Sequence, residues 1–414
     1  MEPTRRRLFT TGATAMVGAA WPAAFAAQPP SRASAFGPRS GPGSSPPPGA
    51  RVIRVGKGGN AVAVSIAAGI AKDGDVVEIE AGEYRGDVAV WLQKRLTIRS
   101  VGGPVRMIAD GKHAEGKAIW VLRNGEFDIS GIQFEGVRVP DENGAGIRFE
   151  RGRLRLSNCR FIDNECGLLT GNDGDSELWM DGCQFSGMFA RPPRGHRHNL
   201  YVGAIDRCVV SASYFSRAQV GHLLKTRARR SEILYNRITD EDGCASYELD
   251  FPDGGQVVLL GNLIVQEPGT EHARIVAYGA ESYRWPVNRF VMAHNTVVSR
   301  GSRDATFVRV FPGPIRGVLR NNVFVGKGRF GGAIDDPDGG NVMLADERSF
   351  RSPKDFDFHL RPGSTLMGAA GPPDASLSPE LDGLSLVPTH EYVHPMSSRR
   401  LPFGLKPSPG AFHS

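Results

Sequence analysis

The chain has 414 residues, 40% of them hydrophobic, with a formal charge of +6 at neutral pH, so it can bury one large core or two smaller ones. Glycine (52) and proline (29) indicate many turns, and no apolar run reaches the length of a membrane-spanning helix. The positive balance suits a polyanionic partner without naming it, and the cysteines, at 159, 166, 183, 208 and 244, show no CxxC or Cys/His metal spacing.

Residues 1–27 begin with a basic cluster, Thr4-Arg5-Arg6-Arg7-Leu8-Phe9, followed by a modest apolar run and the small-x-small site Ala24-Phe25-Ala26. This pattern is similar to a twin-arginine signal peptide, which predicts a periplasmic or secreted protein that is free of the membrane after cleavage. Residues 28–50 are rich in Pro, Ser, Gly and Ala and are expected to form a disordered linker. From Arg51 the chain becomes ordered. RVIRV reads as a first strand, SIAAGIAKDGD as a short helix ending at Gly74, and VVEIEAGEYRG as an alternating strand, together an N-terminal cap.

From about Leu96 a loose repeat takes over. The apolar residue after each turn falls at Phe134, Phe161, Phe185, Phe215, Ile238, Ile264, Val297 and Phe324, at intervals of roughly 23 to 33 residues. One alternating strand pair and one polar corner per unit predict an all-β, single-stranded parallel β-helix over residues 51–328, its cap included. A β-sandwich also has short strands and regular turns, but Asn-Gly hairpin signals are scarce. Asparagine recurs before the second strand at Asn158, Asn236, Asn262, Asn295 and Asn322. It suits a left-handed corner and can bond to its counterpart in the next turn. Cys159 and Cys183 each precede a phenylalanine by two and are expected to stack as small buried residues in preference to forming a disulfide. Residues 329–414 lose the repeat and read as an irregular C-terminal flap whose prolines forbid regular sheet.

Three segments, HNLYVG, HLLKTR and YELDFP, lie about one turn apart. Aligning Leu200, Leu224 and Leu249 as inward residues places Asn199, Tyr201, Lys225, Arg227, Glu248 and Asp250 on one outer surface and puts His198 and His222 on the inward parity. Arg274, Tyr278 and Arg309 continue the track in later turns, a basic and aromatic surface fitted to a chain-like anionic ligand.

The opening KDGDVVEIEAGEY, the NxxF-like corners and the closing DFHLRPGS…GAF give the chain, over roughly residues 51 to 410, a resemblance to the pectate-lyase-like right-handed parallel β-helix proteins. The resemblance implies a polysaccharide lyase, a C5-epimerase or a hydrolase. The calcium-binding aspartate set of pectate lyases and the DPHD-type motif of alginate epimerases are absent, and HRHN at His196 to Asn199 is a loose echo of the latter.

β-Elimination at a uronic acid needs carboxylate neutralisation, a base for the C5 proton and an acid for the leaving oxygen. Arg227 is expected to hold the carboxylate and Lys225 to act as base, its pKa lowered by the neighbouring guanidinium. Tyr201 is expected to protonate the leaving group, with His198 or His222 as alternative base. Asn199, Glu248, Asp250, Arg274, Tyr278 and Arg309 are expected to bind substrate. A hydrolase would draw on Asp173, Asp175, Glu248 and Asp250, and a glycan-binding solenoid would need no chemistry at all. No cofactor is required; Glu248 and Asp250 could contribute to a Ca2+ site but do not make one alone. The expected partner is an anionic polysaccharide, acted on by a monomer. No nucleic-acid module is present, and GKGG at Gly56 to Gly59 lacks the phosphate-loop pattern.

Overall fold

The computed structural model describes residues 49–187, 197–315, 317–335, 339–372, 381 and 384–413. The expected signal peptide, nearly all of the linker and His196 lie outside the described residues. The rest is a right-handed parallel β-helix of about ten turns. Each full turn contributes three short strands, as in Glu177–Asp181, Gln184–Ser186 and Leu200–Val202. Each strand pairs in parallel with its counterpart one turn on, Leu178 with Cys208, Phe185 with Phe215 and Leu200 with Leu224. Two of the resulting faces join through the long strands Val76–Arg85 and Arg95–Ile108, and the third is a separate ten-stranded sheet.

Register is fixed by the interior. Phe134, Phe161, Phe185 and Phe215 stack in one column with centroids 5.3, 4.5 and 4.8 Å apart, and Ile238, Ile264, Val297 and Phe324 extend it. Burying each such ring contributes about 1.5–3 kcal/mol, and a one-residue slip would expose the whole column. A second column at the corner runs Ser213, Asn236, Asn262, Asn295, Asn322 and Asn341, in which each side-chain oxygen accepts the backbone N–H of the preceding member. Asn158 does not belong to it. The left-handed residue is the one before the column, at Asn158, Ala212, Tyr235, His294 and Asn321, while Cys159 and Cys183 are buried, free thiols immediately after such positions.

The cap helix is Val64–Ile70, shorter than the sequence pattern, because the chain turns at Lys72–Asp75 and Asp75 pairs with Arg51. The Asp87 carboxylate accepts the Val64 and Ser65 N–H groups at the helix start, and Gln93 Nε2 donates to the Ala68 and Ala71 carbonyls at its end. The coil runs past residue 328 to Val342–Leu344, which pairs with Val323–Val325. Beyond it the flap contains two antiparallel hairpins, Phe350–Ser352 with Asp357–Leu360 and His390–Val393 with Ser397–Arg400, so regular sheet forms between its prolines.

The flap decides which face remains open. Phe350, Phe358, Leu360 and Phe412 pack on outward Leu263, Val265, Val298 and Val325, and Leu381 and Leu386 pack on Leu234, Val258, Leu260 and Val291. Two faces have apolar outer residues under this cover. The ten-stranded sheet has an apolar outer cluster in its first turns, around Val90, Val121 and Leu169, and carries His, Tyr, Lys and Arg from Tyr201 onward.

Candidate active site

Leu200, Leu224 and Leu249 pair in register and point inward. Tyr201, Lys225 and Asp250, the residues that follow them, therefore stack outward at the inter-strand spacing of about 4.8 Å. The column continues through Ala277 to Arg309.

Strict alternation fails one residue before the leucines, where the chain turns into the sheet and two successive residues face the core. A Cβ on Gly167, at the same level as Asn199, would meet the Phe185 ring at 2.4 Å, which marks the position as interior. Asn199 and Glu248, expected on the outer face, are fully buried. Asn199 Nδ2 donates to the Ser216 carbonyl at 2.8 Å, and Glu248 Oε2 accepts from Gln266 Nε2 at 3.0 Å. Burial, with Asp240 nearby, pushes the Glu248 carboxyl well above the usual range. Glu248 and Asp250 therefore serve different surroundings and do not combine as cation ligands.

The same turn sends the preceding residue outward. His198 and His222, expected inward, line the outer side: the His198 ring stacks on Tyr201 at 5.2 Å and meets His222 edge-on at 4.9 Å. His198 Nδ1 accepts the His222 backbone N–H at 3.0 Å, so this nitrogen carries no proton. His222 Nε2 lies 3.1 Å from Asp250 Oδ2.

Lys225 and Arg227 form the centre of the cluster. Lys225 Nζ lies 3.1 Å from Asp250 Oδ2 and 3.1 Å from Glu281 Oε1. Arg227 reaches Asp253 Oδ1 and Glu281 Oε2, both at 2.6 Å, and its Nε donates to the Tyr201 hydroxyl at 2.9 Å. Burial alone would lower the Lys225 pKa, but Asp250 and Glu281 reverse the effect and hold the ammonium form above its ordinary value. The expectation of a lowered lysine is corrected: the two carboxylates in contact outweigh the guanidinium next to them. Burial would raise Asp250 and Glu281 as well, yet both carboxyls are held below the usual range, Asp250 by His222 and Lys225 and Glu281 by Arg227 and Lys225.

Farther along the face Arg274 is exposed and donates to the Tyr247 hydroxyl at 3.0 Å, while Arg309 lies over Phe311 at 5.3 Å. Tyr278 is not on this track. It pairs in register with inward Phe251 and Val310, is fully buried, and donates to the Gly255 carbonyl at 2.6 Å. Asp173 is tied to Arg151 and Ser176, which hold its carboxyl low and unsuited to a general acid.

No family model matches the sequence, and no curated protein matches it. Among solved structures, the pectate lyase Pel9A is similar over 88% of this chain and 96% of its own, with 14% identity and a TM-score of 0.48. A PL6-family alginate lyase, AlyGC, is similar over 83% of this chain but 59% of its own, with 13% identity and a TM-score of 0.28. The parallel β-helix is established by the chain's own strand pairing. Likeness at these identities concerns the fold alone.

Sequence reasoning missed Asp253, Glu281 and Tyr247. Asp253 lies just beyond the YELDF strand, as Arg227 lies just beyond HLLKT, and strand-end positions were available as a signal. Glu281 falls within the longest gap of the repeat, between Ile264 and Val297, which marks an insertion.

Proposed function

We propose that this chain is an exported enzyme that cleaves a uronic-acid-containing polysaccharide by β-elimination on the open face of its coil. The observation that carries the reading is the meeting of Tyr201, Lys225 and Arg227 in two adjacent turns, with Arg227 bonded to the Tyr201 oxygen. Arg227 and Lys225, both cationic, neutralise the uronate carboxylate and so favour loss of the C5 proton. Lys225 is held protonated and is assigned to this neutralisation in place of the base role.

Proton transfer then falls to Tyr201, whose oxygen accepts from Arg227 while its own hydrogen stays free. The C5–H bond breaks, its electron pair forms the C4=C5 double bond, and the C4–O bond to the leaving sugar breaks. The C5 proton passes to the phenol oxygen as the phenol proton passes to the glycosidic oxygen, so Tyr201 ends as it began. A hydrolase fits less well. Asp250 and Glu281 have depressed pKa values, and of the carboxyls raised above their ordinary values Glu248 and Asp240 are buried and Glu267 is paired with Arg300. Export is supported by the Thr4 to Phe9 motif.

The test is ultraviolet absorbance of the unsaturated uronate during incubation with polygalacturonate, alginate and other uronate polymers. A rise with the purified mature protein that is lost in Lys225→Gln supports the reading. No rise with any polymer contradicts it.

A further inference from the structure

Lys225 and Arg227 each have a buried carboxylate of their own. The Asp250 side chain is 3% exposed and lies against Lys225; the Asp253 side chain is 8% exposed and lies against Arg227. Two cations and two anions already balance. Glu281 is a third carboxylate, half exposed at 50%, and its two oxygens bridge the same cations, Oε1 to Lys225 Nζ and Oε2 to Arg227 Nη2. It stands where a carboxylate from outside would make the same two charge-assisted contacts.

The backbone beneath Glu281 is fixed. Glu281 and Ser282 N–H groups both donate to the Pro252 carbonyl at 2.9 Å, Trp285 Nε1 donates to the Arg227 carbonyl at 3.0 Å, and Tyr283 donates to the Phe311 carbonyl at 2.6 Å. Vacating the bridge therefore requires rotation of one long side chain and no movement of the segment.

We propose that Glu281 is an internal competitor for a carboxylate-binding subsite between Lys225 and Arg227, displaced by one free uronate carboxylate of the polymer. The proposal rests on the reading of this face as a uronate-polymer site and makes it more specific. Exchange of one carboxylate for another keeps the local charge constant, whereas a methyl-esterified uronate has no charge with which to compensate the two cations. Glu281 thus sets a threshold that selects free acid over ester.

The test is calorimetric titration of the wild-type protein, Glu281→Gln and Glu281→Ala with de-esterified polygalacturonate and with alginate, and with methyl-esterified pectin as the control. Both variants change one half-exposed side chain; the alanine covers the case in which a glutamine amide still occupies the subsite. Losing the competitor is expected to tighten binding of the free-acid polymer roughly tenfold, with no comparable gain for the ester. Binding by the variants alone supports the same conclusion. Equal or weaker binding by both variants, where the wild-type protein binds, overturns the competitor role and leaves the uronate reading standing. Absence of binding to either free-acid polymer in all three proteins overturns the uronate reading, and this proposal with it.

Discussion

Arg227 Nε donates to the Tyr201 hydroxyl oxygen across 2.9 Å, tying the end of one turn of the coil to the strand of the turn before it. The bond uses a lone pair of the phenol and leaves its hydrogen for the groove. Tyr201→Phe is therefore expected to keep the stack on His198 and the polymer affinity while lowering kcat about 10²- to 10⁴-fold. Steady-state kinetics with an unchanged melting temperature checks it; a kcat near that of the wild-type protein contradicts the assignment.

Asp250 is buried between His222 and Lys225, and both contacts run through one oxygen, Oδ2. Asp250→Asn removes one of the two charges that keep Lys225 protonated, so the lysine loses its proton at a lower pH. The alkaline limb of the rate profile is expected to move to lower pH, and urea unfolding to show a loss of about 3 kcal/mol. An unmoved alkaline limb would separate Lys225 from the reaction.

Burial raises the Asp240 carboxyl to about 7 from its ordinary value of 3.8. The folded protein then binds more protons than the unfolded chain between these values, so this group's contribution to stability falls as pH rises through them. Asp240→Asn, which keeps an acceptor for the Ala245 N–H, is expected to match the wild-type protein near pH 3.8 and gain on it up to about pH 7. Above that the advantage levels off at about 4 kcal/mol. Taking the difference between the two melting curves isolates this group from His294 and His413, whose lowered pKa values impose the opposite slope at acid pH.

In the corner column Asn262 Oδ1 accepts from the Asn236 backbone and side chain, and its Nδ2 donates to Ile233 O and Asn295 Oδ1. Asn262→Ala leaves buried donors and acceptors without partners on both sides. A cost of about 2–4 kcal/mol is expected by chemical denaturation, without change in the chemistry of the open face.

The coil was legible because its interior repeats. Leu200, Leu224 and Leu249 carry the register that stacks Tyr201 over Lys225 and Asp250, and the phenylalanine column and corner asparagines mark successive turns. Period-two reasoning fails where backbone curvature replaces the pleat. The turn before each leucine sends Asn199 and Glu248 inward and His198 and His222 outward, and no residue type in those segments announces it. The contacts of Glu281 were beyond local pattern for another reason: it reaches Lys225 and Arg227 from an insertion two turns later, across more than fifty residues of chain.

The sharpest test of the elimination chemistry is mass spectrometry of the fragments formed when the protein acts on a uronate polymer in heavy-oxygen water. Fragments with an unsaturated, unlabelled new non-reducing end and no heavy oxygen gained on cleavage are predicted, since the bond breaks without water. Saturated fragments carrying the heavy oxygen at the cleaved bond would identify hydrolysis and contradict the account.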